Sequence, residues 1–169
     1  MFVRAINTVQ PGLIRTEADE LTYSLHVLVR YELEKMLIEE DLDVKELPKL
    51  WADKYEEYLG IRPGNDAEGV LQDIHWAQGS FGYFPSYALG SAFGAQMLAQ
   101  MKQEMDFDRL LEEGKLDVIR EYLRKHVHRY GKMKDSREIL KDMTGEDFDP
   151  KYYVEYLEEK YRKLYELSR

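Results

Sequence analysis

The sequence predicts an all-α protein, on three observations. Apolar residues recur at helical spacing over most of the 169 residues. No segment alternates apolar and polar residues convincingly as a strand. A window of 28 consecutive residues, Ile74 to Met101, carries no Asp, Glu, Lys or Arg in a chain that is 34% charged. Charged side chains are almost never fully buried unless paired, so this window reads as an interior segment. It is long enough to span a bilayer, but Gln78, Gln96, Gln100, Pro85 and four glycines interrupt it, so a core helix is expected rather than a membrane span.

The elements follow in order. Pro11-Gly12 ends an irregular start. Thr16 lies three residues before Asp19, a capping-box-like helix start, and Glu17, Asp19 and Glu20 suit the positive end of a helix. Leu21, Leu25, Leu28, Leu33, Met36 and Leu37 carry that helix to Ile38. A second helix is predicted from Asp43 to Tyr58, with Leu47, Leu50, Trp51, Tyr55 and Tyr58 as its face and Gly60 as its stop. Arg62-Pro63-Gly64-Asn65-Asp66 is a turn, and a short helix is expected from Ala67 to Trp76. After the Gly79-Ser80-Phe81-Gly82 loop, Pro85 suits the first turn of a long helix reaching Met105. Gly90 and Gly94 give that helix a small face that another helix could approach closely. Amphipathic helices are predicted at Leu116–Tyr130, Ser136–Met143 and Pro150–Leu167, separated by Gly114, Gly131 and Thr144-Gly145.

Length suits a single region, residues 1–169, and a compact chain of this size buries roughly 70% of its unfolded surface. A formal charge of −9 argues against nucleic acid and anionic membranes as partners. The absence of cysteine excludes disulfides and thiolate metal sites. No basic-then-apolar leader opens the sequence, and the charge-rich, cysteine-free composition is compatible with a thermophile's cytoplasmic protein.

Four histidines could carry chemistry. His126 and His128 project about 200° apart on a helix and cannot share a metal from one face. His26 lies within an amphipathic helix and reads as a core-edge residue. His75 differs, because Gln72, Asp73, His75 and Trp76 crowd together just before the dry window. A neutral imidazole there could donate to a developing oxyanion, or be a satisfied buried histidine. Tyr83 and Tyr87, four apart, could line one helix face beside it or be core. Arg15 could pair with Glu17 or Asp19, or offer its fork to a substrate carboxylate. With Asp73 and Gln72 as neighbours, His75 lacks a three-ligand set, so no tight metal site is expected in this chain.

Two motifs resemble those of a known family. Ile14-Arg15-Thr16-Glu17-Ala18-Asp19-Glu20 is similar to the IRxEADE motif of the carboxypeptidase Taq family of thermostable zinc metallocarboxypeptidases. Gly69-Val70-Leu71-Gln72-Asp73-Ile74-His75-Trp76 resembles its GxxQDxHW motif at every specified position, and Gly79 to Tyr87 looks like its GxFGYFPxY stretch. The likeness runs through Thr144-Gly145-Glu146 to the tyrosine-rich C-terminal helix.

The resemblance implies a multi-helix, neurolysin-like HExxH-peptidase fold, of which this chain looks like the C-terminal third. The family's zinc or cobalt ion is held by an HExxH helix and a downstream Glu, and none of these matches a segment here. The resemblance therefore implies that this chain holds no metal of its own. It further implies peptide C-termini as ligands, with Arg15 as the carboxylate anchor, His75 as a transition-state stabiliser, and Tyr83 or Tyr87 completing the oxyanion contacts. Gln72 and Asp73 then become supports of His75 on the substrate-binding side. A separately encoded HExxH-bearing N-terminal part is the implied partner. Apolar surface left uncovered by its absence would favour a homo-oligomer. The alternative is a non-catalytic helical interaction module that kept the fold and lost the chemistry.

Overall fold

The computed structural model describes residues 2–40 and 42–167. Met1, before which the resemblance puts the HExxH segment, lies outside them, as do Asp41, Ser168 and Arg169. Among the described residues the regular structure is helical, with no strand. The helices are α1 Phe2–Ile6, α2 Glu20–Glu39, α3 Leu47–Leu59, α4 Pro85–Glu104, α5 Phe107–Glu112, α6 Leu116–His126, α7 Ser136–Thr144 and α8 Lys151–Tyr165. They form two compact units, Met1–Leu89 and Gly90–Arg169.

In the first unit α2 and α3 pack through Val29, Leu33, Leu47, Trp51, Tyr55 and Leu59, all buried. Apolar burial of this kind contributes roughly 1.5–3 kcal/mol per large side chain. The cap of α2 is Asp19 rather than Thr16. Its carboxylate accepts from the Leu21 and Thr22 amides and the Thr22 hydroxyl, while Thr16 sits in a single 3₁₀ turn, Arg15–Glu17. Asp is the stronger cap because its carboxylate also meets the positive helix end. Pro48 lies in the first turn of α3, and Gly60, at φ 68°, closes that helix in the left-handed conformation that glycine adopts without steric cost.

In the second unit, Leu140, Ile139, Met143 and Tyr161 are buried, and the Phe93 and Phe148 rings lie 4.9 Å apart. Buried Gln96 joins α4 to the turn before α8: its Nε2 donates to the Asp147 carbonyl at 3.1 Å, and its Oε1 accepts from the Asp149 amide at 3.0 Å. A reciprocal capping box between Asp135 and Glu138 starts α7.

Several expectations are corrected. The predicted helix from Ala67 to Trp76 is a series of turns ending in a 3₁₀ segment, Trp76–Gln78. The N-terminal stretch read as irregular contains α1, and α5 follows α4 after a one-residue break in regular structure and a cap. The dry window is only partly interior. Phe84, Ala92, Ala95, Gln96 and Met101 are buried, but Ile74 is 62% exposed, Tyr83 51% and Phe81 45%. A Cβ placed at Gly90 or Gly94 would meet nothing within 4 Å, so the close helix approach predicted there is not made by described residues.

Candidate functional site

The site is assembled from four pieces of the first unit. The 3₁₀ turn at Arg15–Glu17 supplies Arg15, α2 supplies His26 and Arg30, the turns after Asn65 supply Gln72, Asp73 and His75, and the start of α4 supplies Tyr87. The turn segment is not helical because its polar groups find partners elsewhere. Gln72 Nε2 donates to the carbonyls of Leu13 and Glu68, each at 3.0 Å, and Gln72 Oε1 accepts from the Arg15 amide at 3.1 Å. Tertiary bonds of this kind override a weak local helix preference.

Asp73 is the electrostatic centre. Its Oδ1 accepts from Arg15 Nη2 at 2.8 Å and Arg15 Nε at 3.2 Å, and its Oδ2 accepts from Arg30 Nε at 2.6 Å. Burial alone would raise the Asp73 carboxyl. The charge of Arg30 and the bonds from both guanidinium groups outweigh burial and hold it below the usual carboxylate range. Arg30 is fully buried and donates further to Gln72 Oε1 at 2.7 Å, the His26 carbonyl at 2.7 Å and Tyr55 Oη at 3.1 Å. Its guanidinium lies 4.6 Å from the Trp51 ring. His26 Nδ1 meets Tyr55 Oη at 3.0 Å. Burial first, and then the charge of Arg30, push the His26 imidazole down to about 4, so it is neutral near pH 7.

Above this platform lies an aromatic cluster around His75. Its Nε2 is 3.0 Å from Tyr87 Oη, and its ring centroid is 4.4 Å from Phe84 and 5.7 Å from Tyr83. His75 Nδ1 is buried without a hydrogen-bond partner and faces Asp73 Oδ1 at 3.9 Å. With its proton on Nε2, His75 donates to Tyr87 Oη and leaves the Tyr87 O–H free, so the pair carries two hydrogens toward a ligand oxygen. The Arg15 guanidinium lies 4.7 Å from the Tyr87 ring centroid. Buried Glu34 accepts from the Gly82 amide and so holds the loop that leads to Tyr83. Gly82 is at φ 73°, where a side chain would be strained.

The structure thus brings together Arg15, Gln72, Asp73, His75 and Tyr87, with the half-exposed Tyr83 at the rim. Arg15 pairs with Asp73, not with Glu17 or Asp19. His26 is fully buried rather than at the core edge. Sequence reasoning missed Arg30, Tyr55 and Glu34. A signal was present: Thr22, His26, Arg30 and Glu34 recur every four residues on α2, and all four are buried. Here the polar row lines a buried network rather than a solvated face.

Among the described residues, no three His, Cys, Asp or Glu side chains are grouped to hold a metal ion. His75 and Asp73 alone fall short of such a set. No described helix is long and apolar enough to cross a membrane.

Comparison with known proteins adds the family context. The model of the carboxypeptidase Taq (M32) metallopeptidase family matches residues 1–161. Carboxypeptidase 1 of Bacillus subtilis (strain 168) is 52% identical over 165 residues, which cover 97% of this chain and 33% of that protein. Thermostable carboxypeptidase 1 of Pyrococcus furiosus is 44% identical over 156 residues, 92% of this chain and 31% of that protein. The crystal structure of an M32 carboxypeptidase from Deinococcus radiodurans R1 aligns with a TM-score of 0.94 at 36% identity, covering 98% of this chain and 34% of that one. The chain spans about a third of the length of the curated relatives it matches.

Proposed function

The chain belongs to the carboxypeptidase Taq (M32) metallopeptidase family, and on that premise we propose that it is the C-terminal part of a metal-dependent carboxypeptidase that grips a peptide's end and contributes transition-state contacts. The metal-bearing HExxH segment is, on this reading, polypeptide beyond these residues. One observation carries the reading: the pairing of His75 Nε2 with Tyr87 Oη at 3.0 Å beside the guanidinium of Arg15.

Each residue has a chemical task. Arg15 takes the peptide's terminal carboxylate, the pairing for which a guanidinium fork is best shaped. His75, Tyr87 and Tyr83 supply the donors that meet negative charge developing on the carbonyl oxygen of the last peptide bond. Asp73 and Gln72 hold Arg15 and His75 in register, so the donors need no reorganisation as charge develops. The exposed apolar side chains of Ile74, Phe81 and Tyr83 would pack against the HExxH part.

The test is reconstitution. The 169-residue chain is mixed with an HExxH-bearing N-terminal part of an M32 enzyme and zinc or cobalt, and release of the C-terminal residue from an N-blocked peptide is followed. Release that needs both parts is the expected result. Absence of release from a mixture in which the two parts bind each other would contradict the proposal.

A further inference from the structure

We propose that Arg30 is a positioning residue that keeps Arg15 available to a ligand carboxylate by sharing Asp73 with it. The inference rests on the reading of Arg15 as the anchor for a peptide's terminal carboxylate.

Charge balance is the starting point. Two guanidinium groups, with side chains 9% and 0% exposed, meet one carboxylate that is 11% exposed. Arg15 takes Oδ1 and Arg30 takes Oδ2, so the trio carries one positive charge in excess. Among the described residues no other carboxylate pairs with either guanidinium. Glu34, one turn along α2 from Arg30, keeps its own charge but accepts from the Gly82 amide and forms no ion pair with either guanidinium. His26 and Tyr55 are neutral near pH 7 and do not offset the excess. A poorly solvated excess charge is costly, and an incoming anion relieves that cost.

Donor counting then says where the anion goes. A guanidinium has five N–H groups. Arg30, fully buried, uses four of its five on Asp73, Gln72, Tyr55 and the His26 carbonyl. Arg15 spends Nε and one Nη2 hydrogen on Asp73 and one Nη1 hydrogen on Tyr23 Oη at 3.3 Å, which leaves two. Arg15 is also the more exposed of the pair, and it lies over Tyr87, whose hydroxyl touches His75. A carboxylate bound there sits beside the proposed oxyanion donors. Without Arg30, Asp73 would neutralise Arg15 alone, and the excess charge that recruits the ligand would vanish although Arg15 itself is intact.

The test titrates the ¹⁵N-labelled 169-residue chain with N-acetyl-Phe-Ala and with its C-terminal amide, followed by amide chemical shifts. Wild type should prefer the acid. Arg30→Met should weaken acid binding by about tenfold or more, leaving the amide unchanged. Arg30→Lys keeps the charge and should stay within about threefold of wild type. Asp73→Asn should tighten acid binding, whereas a merely structural network predicts that it, like the Lys variant, loses the preference. Circular dichroism reports folding, and should Arg30→Met not fold, the Lys and Asn variants decide the matter. Acid preference retained in folded Arg30→Met, or lost in folded Arg30→Lys, overturns the inference while leaving Arg15 as anchor. Equal binding of acid and amide by wild type overturns the anchor reading and the inference with it.

Discussion

Replacing His75 with phenylalanine is expected to lower kcat of the reconstituted enzyme by about two to three orders of magnitude, with KM changed less than about threefold. The substitution keeps an aromatic ring of similar size in the cluster, where the imidazole now lies 4.4 Å from Phe84 and 5.8 Å from Tyr87. It removes both ring nitrogens, and with them the 3.0 Å contact to Tyr87 Oη. Packing is therefore largely preserved while a polar contact made to developing charge is lost. Initial rates on an N-blocked peptide across a range of concentrations separate the two constants. A rise in KM at unchanged kcat would make His75 a ground-state contact instead.

The second large effect concerns stability. Trp51→Ala is expected to cost about 3–5 kcal/mol, the range for deleting a buried aromatic side chain. For a chain of this size that corresponds to a thermal midpoint lower by roughly 10 °C. Trp51 is 1% exposed and stacks on Tyr55 with centroids 5.4 Å apart and planes 17° apart. It meets Trp76 edge-on at 6.1 Å and lies 4.6 Å from the Arg30 guanidinium. The cavity would open beneath Arg30, so the platform under Asp73 and Gln72 should loosen together with the core. Urea unfolding followed by far-ultraviolet circular dichroism measures the loss. A change below about 1 kcal/mol would mean that the α2–α3 core does not depend on this ring.

Much of this arrangement was legible in the sequence, for identifiable reasons. α2, α3, α4, α6, α7 and α8 follow the apolar spacing because each is long enough for several turns of a stripe. α1, with five residues, and α5, with six, are too short for periodicity to register. The turns after Asn65 were misread as helix because their conformation depends on bonds from Gln72 to Leu13 and from Arg30 to Gln72 and Asp73, which cross long stretches of sequence. Arg15 stands in one compact motif, Gln72, Asp73 and His75 in a second, and Tyr87 in the stretch that follows it, and they were found through these. Arg30 and Tyr55 stand inside amphipathic helices, at positions where a core residue has the same spacing; the polar row on α2 marks Arg30, while Tyr55 reads as one more core residue of α3. The uncharged window misled in a different way. Lack of charge marks a segment as apolar but does not by itself place it inside, and Ile74, Phe81 and Tyr83 of the window are exposed.

The most direct measurement is an exopeptidase assay of the purified 169-residue chain by itself, supplied with zinc or cobalt and an N-blocked peptide. A division of labour, with the grip on this chain and the water-activating groups on other polypeptide, predicts no turnover above the metal-only control. Sustained release of C-terminal residues by the chain alone, abolished by His75→Phe, would contradict it.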